Sequence, residues 1–221
     1  MFESRLMSVL FIFLFALSPV YGTFEYMQLV LTWPISFCHT KHCERIPTNF
    51  TIHGLWPDNK NALLNNCVPD ATYNKITNPE LLKQMDYRWP ELTSKEIDGK
   101  KKQGLWGHEF LKHGTCCTGY DTEEAYFKLA MGLKDRFDLL KILSARGIIP
   151  GTTHTLDNIQ KAIKAVTRAL PNLYCSSDPK RPRMELLEIG ICFDPKATSV
   201  IVCRRYKTCH TDGTTLIDFP G

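Results

Sequence analysis

No stretch of this chain is suited to cross a membrane. Its one long apolar run, Leu6 to Leu17, falls short of the ~20 residues that a spanning helix needs. Also missing are any Cys-x-x-Cys pair, any His-Glu-x-x-His run, any internal repeat and any low-complexity tract. Those absences weigh against zinc fingers, zinc-protease helices and solenoid folds. No linker is long enough to divide the chain. Neither sign of charge dominates: 27 Lys and Arg against 23 Asp and Glu leave a net +4. Such a balance suits an anionic partner without requiring one.

What is present starts with that apolar run. It follows a short charged start, MFESR, and precedes Pro19 and then Val20-Tyr21-Gly22, where small or neutral residues suit a signal peptidase. Residues 1–22 therefore read as a cleaved secretory leader, and 23–221 as one domain with enough chain for a real core. An extracellular product is expected. Nine cysteines, at 38, 43, 67, 116, 117, 175, 192, 203 and 209, read in that setting as a disulfide framework with one thiol left over. Asn49-Phe50-Thr51 is the only standard glycosylation sequon.

Periodicity divides the chain into both kinds of element. Glu25–Trp33 (EYMQLVLTW) alternates loosely, as a strand does, and Thr51–Trp56 is a second short strand candidate. Asp121 with Glu124 resembles a capping box. After it Tyr126, Leu129, Ala130, Leu133, Phe137 and Leu140 recur at helical spacing until Gly147 and Pro150. Leu156–Leu170 repeats that pattern with Ile159, Ile163 and Val166. Met184–Phe193 and Ser199–Tyr206 are β-rich, whereas 69–104 is polar and reads as irregular. Strands and helices mix without βαβ alternation, so the expected class is α+β.

Two segments carry chemistry. In WGHEFLKHGTCC (106–117), His108 and His113 are five apart, about 140° around a helix, which suits joint metal ligation poorly. No metal is expected. Glu109 and His113 stand at i and i+4 with Lys112 beside them, so one face shows a carboxylate, an ammonium and an imidazole. In FTIHGLWPDN (50–59), His53 lies on a strand-like stretch ended by Gly-Leu-Trp-Pro. A lone histidine is more often structural. Two histidines beside a Glu-Lys pair, in a secreted basic chain, suit phosphodiester cleavage by an internal nucleophile. One imidazole takes a proton, another gives one, and a cation stabilises the phosphorane.

Those two segments, in that order, resemble the active-site segments of the RNase T2 family of secreted ribonucleases. FEYMQLVLTWPISFC, LKDRFDLLKIL at 133–143 and the ICFDPKAT segment from Ile191 resemble its S-RNase branch, the style ribonucleases of gametophytic self-incompatibility in nightshade-like plants. The likeness covers 23–209. It implies a T2-like fold, a central antiparallel sheet with packed helices stapled by disulfides. It implies His113 as general base, His53 as general acid, Glu109 and Lys112 as supports of the crowded phosphate, and His108 as a phosphate contact. The reaction implied is 2′-OH transesterification of RNA to a 2′,3′-cyclic phosphate, without cofactor. DNA lacks the 2′-OH and is not a substrate.

The resemblance also implies base contacts, with departures. Thr32 stands where the family often has glutamine, and Leu105 where an aromatic is common, which weakens stacking there. Glu91-Leu92 occupies the place of another base-contact pair. Trp56 suits either base stacking or the core. Implied pairings are Cys38–Cys43, Cys67–Cys116, Cys175–Cys209 and Cys192–Cys203, leaving Cys117 free; sequence alone does not choose them. A monomer is expected, with RNA as substrate, no membrane contact, and pollen-side recognition proteins as partners. About Pro69–Leu82 and Thr93–Gly104 are expected to form the allele-specific face. Lys100-Lys101-Lys102 reads as a solvated turn and Arg204-Arg205 as a strand face. Open alternatives are an S-like ribonuclease of phosphate salvage or defence, and a recognition glycoprotein with vestigial catalysis.

Overall fold

The computed structural model describes residues 24–179, 181–203, 209 and 212–221. The expected leader and Arg204-Arg205 lie outside them. Strands β1 (Tyr26–Thr32), β2 (Thr51–Asp58), β3 (Thr152–Thr155), β4 (Asn172–Ser176), β5 (Glu185–Phe193), β6 (Val200–Ile201) and β7 (Leu216–Phe219) form one sheet. Its order is β2-β1-β5-β7-β3, with β4 and β6 also paired to β5. The ladders are antiparallel apart from a single parallel bridge between β5 and β7 at Glu185 and Asp218. Helices α1 (Pro34–Thr40), α2 (Pro79–Arg88), α3 (Glu96–Lys102), α4 (Gly104–Lys112), α5 (Glu123–Asp135), α6 (Leu139–Ser144) and α7 (Leu156–Thr167) complete an α+β fold. None of the described helices is long and apolar enough to cross a membrane.

Every residue of β1 is buried, which explains its loose alternation: both faces of this strand are covered. Leu29, Leu31, Leu55, Ile189 and Ile191 meet Tyr126, Phe127 and Phe110 in one core. α7 follows most of its apolar spacing, with Ile159, Ile163 and Leu156 buried, Val166 exposed and Thr155 capping its start.

Five sequence expectations are corrected. The cap of α5 is Thr122, whose side chain accepts from Ala125 N–H; Asp121 sits one residue too early. The long run to Leu140 breaks, because Asp138 accepts from Lys141 N–H and starts α6 afresh. Arg136 in the break donates to the Ala197 and Thr198 carbonyls, which pins the chain there. Residues 69–104 are not irregular throughout. Asn78 accepts from Glu80 and Leu81 N–H, Pro79 begins α2, and Leu81 and Met85 anchor it. The three lysines end α3 rather than forming a turn, and Lys100 bonds Glu96. Of the β-rich stretch from Ser199, only Val200–Ile201 is a strand among the described residues.

Four disulfides join Cys38 to Cys43, Cys67 to Cys116, Cys175 to Cys209 and Cys192 to Cys203. These are the pairs the resemblance implied. Cys117 is free and buried, and burial pushes its thiol up to about 12.

Candidate active site

Strand β2 delivers His53 by a break in its own ladder. Val30 pairs with Gly54 and Leu31 with Ile52, so His53 is the extra residue of a bulge. Bulges re-aim side chains, and this one frees His53 from the regular alternation. The next residue has to be glycine. A Cβ on Gly54 would lie 2.2 Å from Glu109 Oε2 and 2.2 Å from Trp56 Nε1, inside any permitted contact. The absence of that atom lets α4 lay Glu109 directly on the strand.

Helix α4 is set by Gln103, a left-handed residue (φ 55°) between α3 and α4. Its buried side chain accepts from Tyr73 Oη and Ile76 N–H and donates to the Ile76 carbonyl. Phe110 faces Tyr126 and Phe127, which turns Glu109 toward β2. His113 closes the helix, its N–H donating to the Glu109 carbonyl at 2.9 Å. Trp56 stands between the two imidazoles, ring centroids 5.3 Å from His53 and 5.2 Å from His113. Its Nε1 donates to Glu109 Oε2 at 3.0 Å. Of the two sequence readings for Trp56, the core reading is not met: the ring is half-buried and stands as a spacer within the site.

The electrostatics separate the two histidines. For His53, burial lowers the pKa, but the 2.6 Å hydrogen bond and charge of Glu188, with Glu109 adding to them, outweigh it and raise the net value above the ordinary 6.5. His113 moves the other way, to about 3, chiefly through burial and then the positive surroundings of Lys112, His108 and His53. Its buried Nδ1 has no hydrogen-bond partner among the described residues. Burial also raises the Glu109 carboxyl, against the pull of His53, Trp56, His108 and Lys112. One ring is thus favoured as a proton donor and the other as an acceptor, beside a lysine. Lys112 is half-buried, and His108 is exposed at the edge.

Beside His53 opens a cavity of about 170 Å³ lined by Thr32, Phe37, Thr51, Ile52, Pro90, Glu91, Leu92 and Leu105. It gathers Thr32, Glu91, Leu92 and Leu105 from three separate stretches; Trp56 and His108 are not among its walls. Thr32 donates its hydroxyl to Glu188, and Glu91 accepts from Thr93. Phe37, half-buried in the wall, supplies an aromatic that Leu105 does not. Sequence reading missed Phe37, Gln103 and Glu188. Phe37 was findable as an aromatic just after Trp33-Pro34; the other two carry no local signal. Among the described residues no group of three or more His, Cys, Asp or Glu is placed to hold a metal ion.

Comparison with known proteins places this geometry. The sequence profile of the Ribonuclease T2 family matches residues 24–203. The chain belongs to that family. Ribonuclease S-2 of Nicotiana alata is 54% identical over 209 residues, covering 95% of each chain. The crystal structure of the Nicotiana alata gametophytic self-incompatibility associated SF11-RNase superposes with a TM-score of 0.83 at 45% identity. That match covers 90% of this chain and 100% of the other. RNase NT in complex with 5′-AMP gives 0.77 at 31% identity, over 90% and 99%. For a T2 ribonuclease the paired histidines have an obvious substrate, RNA, and the α+β fold is the one the two segments implied.

Proposed function

We propose that this T2 ribonuclease is a secreted endoribonuclease that cleaves single-stranded RNA by attack of a ribose 2′-OH on the adjacent phosphate. His113 takes the 2′-OH proton as the 2′-O–P bond forms. His53 gives a proton to O5′ as the P–O5′ bond breaks, leaving a 2′,3′-cyclic phosphate. Hydrolysis to a 3′-phosphate reverses the two roles. Lys112 places positive charge against the phosphorane oxygens, Glu109 supports it, and His108 meets a phosphate at the rim. The cavity at Thr32, Phe37, Glu91, Leu92 and Leu105 takes a base.

One observation carries this reading: two imidazoles of one site are pushed in opposite directions, the pattern that separates an acid from a base. A bell-shaped pH dependence follows. Below the His113 value of about 3 the base is protonated, so kcat/KM on RNA rises with pH through that region. Above His53's raised value the acid has lost its proton, so the rate falls at some pH above 6.5. A rate still climbing at alkaline pH would overturn the assignment.

The same proposal makes the protein a pistil-side determinant of gametophytic self-incompatibility. Relatives named as S-ribonucleases along nearly the whole chain support it. Secretion is supported by residues 1–22 and by four disulfides, which persist in oxidising compartments. Asn49, exposed in its sequon, carries the glycan. Pollen-side proteins read the surface at about Pro69–Leu82 and Thr93–Gly104. There Ile97 on α3 is 74% exposed, while Tyr73 and Ile76 anchor the backbone from within. A chimera carrying both stretches from another allele, expressed in styles, should keep its ribonuclease activity and reject a different class of pollen. Unchanged rejection with full activity would place recognition elsewhere.

A further inference from the structure

Glu188 lies 135 residues from His53 in the chain, yet its Oε1 accepts from His53 Nδ1 at 2.6 Å. The sheet explains the meeting. β1 runs between β2 and β5, and Thr32 of β1 pairs with Thr51 on one side and Glu188 on the other. The bulge at His53 turns its ring back across β1. Thr32 is short enough to let the contact pass, and its Oγ1 donates to the same Glu188 oxygen at 3.1 Å. The Glu188 side chain is 12% exposed, against 39% for His53, so the carboxylate sits beneath the ring while the ring faces the open site.

We propose that Glu188 is a positioning residue for the general acid. From β5 its carboxylate holds the His53 ring by Nδ1–H and directs the opposite nitrogen, Nε2, at the departing 5′-oxygen. The two ring nitrogens are distinct, and the partner of one decides what the other does. With Nδ1–H committed to Glu188, the mobile proton of the imidazolium is the one on Nε2. It passes to O5′ as the P–O5′ bond breaks. The ring that remains is neutral, still protonated on Nδ1 and still held, with Nε2 free to accept a proton from water in the hydrolysis step. Glu188 exchanges no proton in either step.

Other charged groups also face this ring. Glu109 and Lys112 approach from α4 with opposite effects, and His113 follows at the helix end. Glu91 lines the adjoining cavity, and Tyr174 of β4 pairs with Glu188 across the sheet. Glu188 alone among them is hydrogen-bonded to the imidazole.

This inference rests on His53 being the acid, and the test separates the two. Glu188→Gln keeps an oxygen for Nδ1–H and removes the charge. The falling limb of its kcat–pH profile should move about one unit toward lower pH. At pH values above both limbs its rate should drop roughly tenfold, while the pH 5 rate stays within about threefold and KM is unchanged. Glu188→Ala removes the orienting contact as well, and its low-pH plateau should fall by at least about tenfold more. A falling limb that does not move in Glu188→Gln overturns the inference. So does an equal loss at every pH, which would mark Glu188 as a support of the fold alone. His53→Ala with near-normal activity would instead overturn the reading of His53 on which this one stands.

Discussion

His53→Ala and His113→Ala should each lower kcat on RNA by at least ~10³-fold at the optimum pH of the unmodified protein. A single positioned acid or base is worth roughly 10²–10⁴-fold, and here neither has a neighbour able to replace it. Glu109 is tied to Trp56, and Lys112 offers charge but no acceptor. The double variant should lose little more than either single one, because the two rings act in one concerted transfer. Stability distinguishes the cause. His53 sits half-exposed at a bulge, and its replacement should lower the melting temperature only slightly, through the Glu188 carboxylate left without its imidazole partner. His113 is buried against Trp56, and a modest fall in melting temperature should accompany its loss. Steady-state rates and melting curves on the same preparations check both points. Retained activity within tenfold of the unmodified protein in either variant would sink the assignment.

The second large effect is on the fold. The Cys67–Cys116 bridge spans 49 residues and encloses α2, α3 and α4. Closing a loop of that length is worth roughly 4 kcal/mol. It ends three residues past His113, where Cys67 N–H also donates to Thr115 Oγ1 and Asn66 N–H to the Lys112 carbonyl. The bridge therefore pins the end of the catalytic helix to the preceding loop. Cys67→Ala should lower the melting temperature by about 8–16 °C and leave Cys116 as a thiol beside buried Cys117. Activity at growth temperature should fall with it. Cys117→Ala removes only one small buried group and should cost about 1 kcal/mol. Equal melting temperatures for Cys67→Ala and the unmodified protein would remove the bridge from this role.

Much of this arrangement is legible in the sequence where the signal is local. β1, β5 and α7 follow from period and composition, β2 runs on through the Gly54–Pro57 stretch expected to end it, and His53, Glu109, Lys112 and His113 follow from two short segments. What failed was the reading of polar stretches. α2 shows only a thin apolar edge at Leu81 and Met85, so its charged face hid it, and its start depends on the Asn78 cap. The α5–α6 break was masked because apolar spacing continues across it, while Asp138 and Arg136 divide the backbone. Contacts made across strands left no trace at all. The bulge at His53 is a property of β1–β2 register, and Glu188 reaches His53 only because β5 lies next to β1. Gly54 is legible only in retrospect. Its reason is the Glu109 oxygen that comes from another element.

At working pH this site should hold one imidazole charged and the other neutral. Side-chain NMR titration of both histidines in the free protein, each assigned by its alanine variant, measures that directly. His53 should lose its proton only above its ordinary 6.5, with Nδ1–H retained against Glu188. His113 should stay neutral down to about pH 3. Two rings titrating together near 6.5, or His113 above His53, would contradict it.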